Sequence, residues 1–253
     1  MLYALNAGNR LVHATPGARG TCRGCGGVLT AKCGRILAHH WAHRCGDCDS
    51  WAEPDHQWHL DWQSYSPPER TEVTLGAHRA DIVTPDGRVV EVQHSSISVD
   101  EIRERERYYG AMAWIFDARK LYSADRLLLY PRSEWVGFRW KQPRKSIAAC
   151  TAPVFLDLDG EGLFKIGRIR LDTPCRGWGT LSSADDFRAW LGRPTTTARP
   201  DNGVCVDMRF PAARPVSRLP ALSDPIAEQK QTTHMPMKTP AQRPVIILPE
   251  ERS

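Results

Sequence analysis

The fifteen residues Asp81–Ser95, DIVTPDGRVVEVQHS, decide how the chain is read. Two short apolar runs flank Thr84-Pro85-Asp86-Gly87-Arg88. Pro85 presets the first turn position, Asp86 suits the second, and Gly87 takes the left-handed conformation, so a three-residue hairpin loop is expected. In that loop Thr84 faces Arg88. Counting outward, Asp81 faces Glu91, with β-carbons about 5 Å apart. A two-residue Asp-Gly loop would instead bring Asp81 opposite Val92, on the other face. Glu91 and Gln93 share a face because side chains alternate along a strand, and Val90 and Val92 point into the core. Two carboxylates and an amide then occupy one patch. Like charges so close repel; a divalent cation with oxygen ligands, magnesium or manganese, would remove the repulsion. An ordinary hairpin with one solvated face is the competing reading.

The flanks build a unit around this hairpin. Ser98 with Glu101 three residues on makes a capping box, the helix VDEIRERERYYG stops at Gly110, and MAWIF is a buried strand. This is a right-handed crossover, so the strands 88–95 and 112–116 are expected to be parallel. Upstream, EPDHQWHLDWQSY carries Pro54 near a helix start, with Asp55, His59 and Trp62 on related faces. Downstream lie strand candidates RLLLYP and WVGFRW. A hairpin around Asp159-Gly160 and a short helix capped by Ser182 or Ser183 follow, read as a small appended unit.

Five of the eight cysteines fall between Cys22 and Cys48. Cys22-x2-Cys25 and Cys45-x2-Cys48 can place four thiolates tetrahedrally around one structural zinc ion. Gly24, Gly26, Gly27 and Gly46 permit the tight turns such knuckles need. Cys33, His39, His40 and His43 compete as ligands, so the set stays open. A redox pair or buried free thiols are the alternative. Arg23, Lys32, Arg35 and Arg44 of this module either meet phosphates or are solvated surface charge.

The whole chain has 253 residues, 41% hydrophobic and 25% charged, with a net charge of +5. That balance permits a polyanionic partner without demanding one. No apolar run reaches transmembrane length and the first residues lack signal-peptide order, so an intracellular, cytoplasmic protein without membrane association is expected. Ten of the nineteen prolines lie from Arg193 onward, where Phe210 is the sole aromatic residue. Such a segment buries too little apolar surface to order itself and is expected to be largely disordered, with its end, VIILPEE, either a docking segment for a protein partner or an exposed apolar stub.

Several pieces together resemble the competence protein CoiA-like nucleases of the PD-(D/E)XK superfamily. They are CRGCGG from Cys22, HWAH at His40–His43, EPDHQWH at Glu53–His59, RADI at Arg79–Ile82, VEVQHSSIS at Val90–Ser98, and RERYYGAMAWIFD at Arg105–Asp117. The resemblance covers about residues 20–120. It implies an α/β fold, a restriction-endonuclease-like mixed sheet flanked by helices, to which the cysteine cluster adds a small zinc-ribbon module and the composition a disordered Pro-rich tail. The division expected is 1–49 for the N-terminal strands and ribbon, 50–147 for the nuclease-like core, 148–192 for the appended unit and 193–253 for the tail. It further implies Mg2+- or Mn2+-dependent hydrolysis of DNA, single-stranded, duplex or branched, in processing or recombination. Asp81 and Glu91 would be metal ligands, and Gln93 would stand where most members have Lys, orienting the water. Asp55 or Glu53 would supply the helix carboxylate, and His59 matches the helix histidine. Arg79, Arg103, Arg105 and Arg107 are candidate phosphate contacts; the Arg/Glu alternation equally suits a salt-bridged exposed helix face. The alternatives are a nucleic-acid-binding module without turnover and an interaction adaptor built on the ribbon.

Overall fold

The structure is a computed structural model, described here for residues 1–44, 46, 48–54 and 56–193. The expected tail therefore lies, Arg193 apart, outside the described residues, as do Cys45 and Asp55.

The first forty-three residues form a five-stranded antiparallel sheet: β1 (Tyr3–Leu5), β2 (Leu11–His13), β3 (Arg19–Thr21), β4 (Val28–Lys32) and β5 (His40–His43), in the order β2-β1-β3-β4-β5. The Cys-rich segment is too small for a core alone, but joined to the preceding strands it has one. Met1, Ala4, Ala14, Cys22, Leu29 and Trp41 pack together. Gly20 is required at their centre, because a β-carbon there would sit 2.6 Å from that of Ala4.

Helix α1 (Gln57–Ser64) follows, then β6 (Thr71–Leu75), β7 (His78–Val83), β8 (Val89–Gln93), α2 (Val99–Tyr109) and β9 (Met112–Asp117). This is the expected order, and β8 pairs parallel with β9. Helix α2 begins where Ser98 accepts the Glu101 amide at 3.1 Å and ends at Gly110, whose φ is 66°. A short helix α3 (Arg119–Ser123), strands β10 (Leu127–Pro131), β11 (Val136–Trp140), β12 (Val154–Asp157), β13 (Leu163–Arg170) and β14 (Cys175–Ser182), and helix α4 (Ala184–Leu191) complete the described chain. Ser183 caps α4 through the Asp186 amide.

Strands β6–β14 make one nine-stranded mixed sheet, β10-β11-β14-β13-β12-β9-β8-β7-β6. Residues 148–192 are thus not an appended unit. β12 enters the sheet beside β9, parallel to it, and hands over to the antiparallel strands β13, β14, β11 and β10. β14 was not foreseen, since Gly177 and Gly179 weaken the strand signal. Close packing explains both glycines: a β-carbon would come within 1.9 Å of the Arg168 carbonyl oxygen at Gly177 and 2.1 Å of the Lys165 carbonyl oxygen at Gly179.

Two cores cover the sheet. Val89, Ile102, Met112, Trp114, Phe116, Leu156 and Phe164 gather on the α2 side. Ile82, Val90, Val92, Ile115 and Phe155 meet Trp58, Trp62, Phe187 and Leu191 of α1 and α4 on the other. Every residue of β8 is buried. The competing reading, a hairpin with one solvated face, does not hold: β8 lies inside the sheet between β9 and β7, where both faces are covered. Among the described residues no helix is long and apolar enough to cross a membrane.

Candidate functional site

The hairpin forms as its turn chemistry dictates. The Thr84 amide donates to the Arg88 carbonyl at 2.8 Å, Gly87 has φ 84°, and the ladder runs Val83–Val89, Ile82–Val90. In this register Val92 N–H should next meet the Ala80 carbonyl, because hydrogen-bonded pairs alternate along an antiparallel ladder. It does not. Val92 N–H donates instead to Asp81 Oδ2 at 2.8 Å, and the Asp81 amide lies 3.4 Å from Glu91 Oε1. The carboxylate has replaced a backbone acceptor, and the strands part there. Ala80 accordingly packs with the α2-side core although Ile82, two residues on, packs with the other.

The parting opens a cavity of about 340 Å³ lined by Asp81, Glu91, Glu53, His59, Gln63, Arg79 and Arg105, with Trp41, Ala42 and His43 of the five-stranded module forming another wall. Each acid has a built partner. His59 Nε2 is 2.9 Å and Gln63 Nε2 3.2 Å from Asp81 Oδ1. Arg105 donates to Glu91 Oε2 at 2.6 Å, to Glu101, and to the Trp51 carbonyl at 2.7 Å. Gln93 donates to Glu53, whose oxygens also accept the His94 and Ser95 amides at 3.0 and 2.9 Å.

Burial sets the electrostatics. It pushes the Glu91 carboxyl up to about 7, the Asp81 charge adding to the rise and Arg105 opposing it. Burial alone would raise Asp81 too, but the His59 imidazole beside it holds it below the usual carboxylate range. For His59, burial works against the proton and Asp81 outweighs it, lifting the imidazole to about 8. The pocket therefore holds one carboxylate paired to a charged imidazole and a second that is reluctant to ionise.

Of the expected residues, Asp81, Glu91, His59 and Glu53 converge here, and Gln93 joins through Glu53. Arg79 lines the cavity; its amide donates to Asp49 at 2.6 Å. Arg105 is a correction. It is not an exposed phosphate contact but 4% exposed, clamped between two glutamates. Arg103 and Arg107 are exposed on α2, away from that stripe, and Arg103 has Asp100 at 3.8 Å. Gln63 and the Arg105 clamp were missed. Both were visible as helical spacing: Gln63 follows His59 by four, and Arg105 sits between Ile102 and Tyr109 on the α2 stripe that faces inward.

The metal-ligand cluster lies at the end of the five-stranded sheet. Cys22, Cys25, Cys48 and His43 bring their ligand atoms within 4.8 Å of one another. Cys22 and Cys48 sulfurs are 3.9 Å apart, and Cys25 Sγ is 3.4 Å from His43 Nε2. Tetrahedral zinc with bonds of about 2.3 Å to sulfur and 2.0–2.1 Å to nitrogen requires ligand separations of about 3.5–3.8 Å, so the residues fit. The knuckle amides serve the sulfurs: Gly24 N–H lies 3.4 Å from Cys22 Sγ and Gly27 N–H 3.3 Å from Cys25 Sγ. The Gly27 amide and His43 draw the Cys25 thiol down to about 7. Three thiols and an imidazole can therefore hold a metal such as zinc, with His43 as the fourth ligand among the described residues; Cys45 lies outside them.

Comparison of the chain with family models, with curated proteins and with solved structures finds no match in any of the three.

Proposed function

We propose that the chain hydrolyses phosphodiester bonds of DNA, as its resemblance to CoiA-like nucleases implies, at the cavity where β7 and β8 part. One observation carries this reading. The sheet gives up a ladder hydrogen bond at Asp81 to bring its carboxylate beside Glu91 in a cavity, although burying both is costly. A structural role alone would be met more cheaply by Val or Ile.

A magnesium ion is commonly held by one or two carboxylates while keeping several waters, and such a pair is what Asp81 and Glu91 would offer. Asp81 and Glu91 would hold it, and it would supply a bound water of lowered pKa and charge neutralisation at the scissile phosphate. The chain's own residues then have distinct parts. His59 and Gln63 fix the orientation of Asp81. Arg105 holds Glu91 and limits its ionisation penalty. Gln93, tied to Glu53, presents a polar group where most such enzymes use Lys, able to orient a water but not to donate positive charge. The five-stranded module walls the site on one side, and zinc at Cys22, Cys25, His43 and Cys48 would keep that wall in place.

Binding without turnover is the second reading, favoured by Gln93 and by the Arg105–Glu91 pair, which already neutralises one acid. Purified protein incubated with linear, branched and single-stranded DNA and Mn2+ or Mg2+ separates them. Cleavage that disappears in Asp81→Ala and Glu91→Ala supports hydrolysis; binding with no cleavage under either cation supports the second reading.

A further inference from the structure

The antiparallel half of the sheet carries a surface that the cavity does not use. Strands β11, β14 and β13 are neighbours, and their register sets Arg139 directly opposite Arg176 and Arg176 directly opposite Arg170. Three arginines therefore stand in a row across three strands, at backbone spacings of about 4.8 Å. Arg168, two residues before Arg170, faces Trp178. Directly opposed like charges destabilise a sheet, and among the described residues none of these four arginine side chains has an ion-pair or hydrogen-bond partner. Glu134 and Asp172, the nearest acids in sequence, lie in the β10–β11 and β13–β14 turns, beyond the strands.

Two tryptophans complete the face. Trp178 is 46% and Trp135 44% exposed, and Trp135 lies on the same side of β11 as Arg139. Both rings lie over glycine. A β-carbon at Gly167, where β13 bulges, would fall 2.4–2.9 Å from three atoms of the Trp178 ring, and one at Gly137 would fall 3.2 Å from Trp135. Covering glycine explains the inner surface of each ring. It does not explain the outer surface of Trp178, left in water and bordered by Arg168 and Arg176; over Trp135 the Arg132 guanidinium lies 5.9 Å from the ring centroid, as a cation that meets both ring and phosphate would. The opposite faces of these strands, through Phe138, Trp140, Cys175 and Phe164, fill the α2-side core. The arginine face is therefore on the side of Phe155, over whose ring Lys165 extends.

We propose that this open face of β11, β14 and β13 binds single-stranded nucleic acid, with Trp178 and Trp135 stacking bases and Arg139, Arg168, Arg170 and Arg176 meeting the backbone phosphates. A sheet face with solvent-facing aromatic rings among cations suits unpaired bases, whose π-faces are available, better than a duplex, whose bases are already stacked. An acidic protein would satisfy the arginines but would leave the rings without a purpose. The proposal stands apart from hydrolysis at Asp81.

The test is fluorescence anisotropy of the full chain with labelled oligo-dT, without added divalent cation. Wild type is expected to bind with an affinity that falls with salt. Arg168→Ala/Arg170→Ala/Arg176→Ala should bind at least tenfold more weakly, its logarithmic salt slope reduced by about 2, since each lost single-strand phosphate contact removes about 0.7. Trp178→Ala should lose at least fivefold, and Trp178→Phe, which keeps a ring over Gly167, should retain most of the affinity. Because the titration contains no divalent cation, it reads binding at the arginine face whether or not the Asp81 cavity cleaves, so failure of the two readings is distinguishable. Equal oligo-dT binding by wild type and the triple variant, with thermal melts matching, would overturn the proposal. So would polyglutamate competing as well as oligo-dT, or anionic vesicles binding with no response to Trp178→Ala.

Discussion

The two halves of the nine-stranded sheet handle charge in opposite ways. Around β7 and β8 the charges are buried or half-buried and each has partners: Asp81 with His59, Glu91 with Arg105, Glu53 with three donors. Across β11, β14 and β13 the charges are exposed, or half-buried at Arg139, all of one sign, and unmatched. The contrast follows from solvation. A buried charge without a partner costs several kcal/mol, so the interior keeps charges only in compensated sets, whereas water screens an exposed row of arginines at little cost to the fold. The first half should therefore be sensitive in stability, and the second in binding alone.

The largest effect is expected outside both halves. Cys48→Ser should abolish stoichiometric metal binding and melt the five-stranded module, since structural zinc contributes folding energy directly. Elemental analysis together with a thermal melt checks this; a variant that lacks metal yet melts as wild type would separate the cluster from the fold.

Next comes the clamp. Arg105→Ala leaves Glu91 buried without its cation and should cost about 3–5 kcal/mol at pH 8. The loss should shrink at pH 5.5, where Glu91, pushed up to about 7, is protonated. Urea unfolding at the two pH values measures it, and a pH-independent cost would mean that Arg105 acts through packing.

A smaller effect comes from pH in the wild type. His59 is raised in the folded state, so its stabilisation is complete below the unfolded value of about 6.5 and is lost as pH rises through about 8. Glu91 is also raised, so the folded state again holds the extra proton and stability falls as pH rises from about 4.5 to about 7. Asp81 has the opposite sign and matters only under acid conditions, where stability falls as pH drops through its depressed value. The melting temperature should thus decline between pH 5.5 and 8, and Glu91→Gln should flatten that decline.

The smallest effect belongs to the open face. Arg176→Ala should leave stability within about 0.5 kcal/mol of wild type, or raise it slightly by relieving two opposed charges. A melt that falls by several degrees would show that this arginine is structural after all.

Much of the first half was legible because turn chemistry is local. Pro85, Asp86 and Gly87 determine the loop, the loop determines the register, and the register brings Asp81 to Glu91. The Ser98 cap and Gly110 stop bound α2 in the same local way. What escaped depends on distant neighbours. The burial of both faces of β8 follows from α1, α2 and α4 closing over it, which no alternation within the hairpin reveals. Arg105 belongs to an Arg/Glu run that reads as a solvated helix until Glu91 arrives beneath it. Gly177 and Gly179 speak against a strand until the carbonyls of Lys165 and Arg168 approach. Trp135, Trp178 and the arginines around them were all in view, but only the register of three strands aligns them.

The claim on which the functional account depends is that the Asp81 and Glu91 carboxylates share one divalent cation. Calorimetric titration of zinc-loaded protein with Mn2+ at pH 7.5 tests it most directly. The account predicts one Mn2+ per chain, lost in both Asp81→Asn and Glu91→Gln. No Mn2+ bound by the wild type, or equal binding by the two variants, would contradict it.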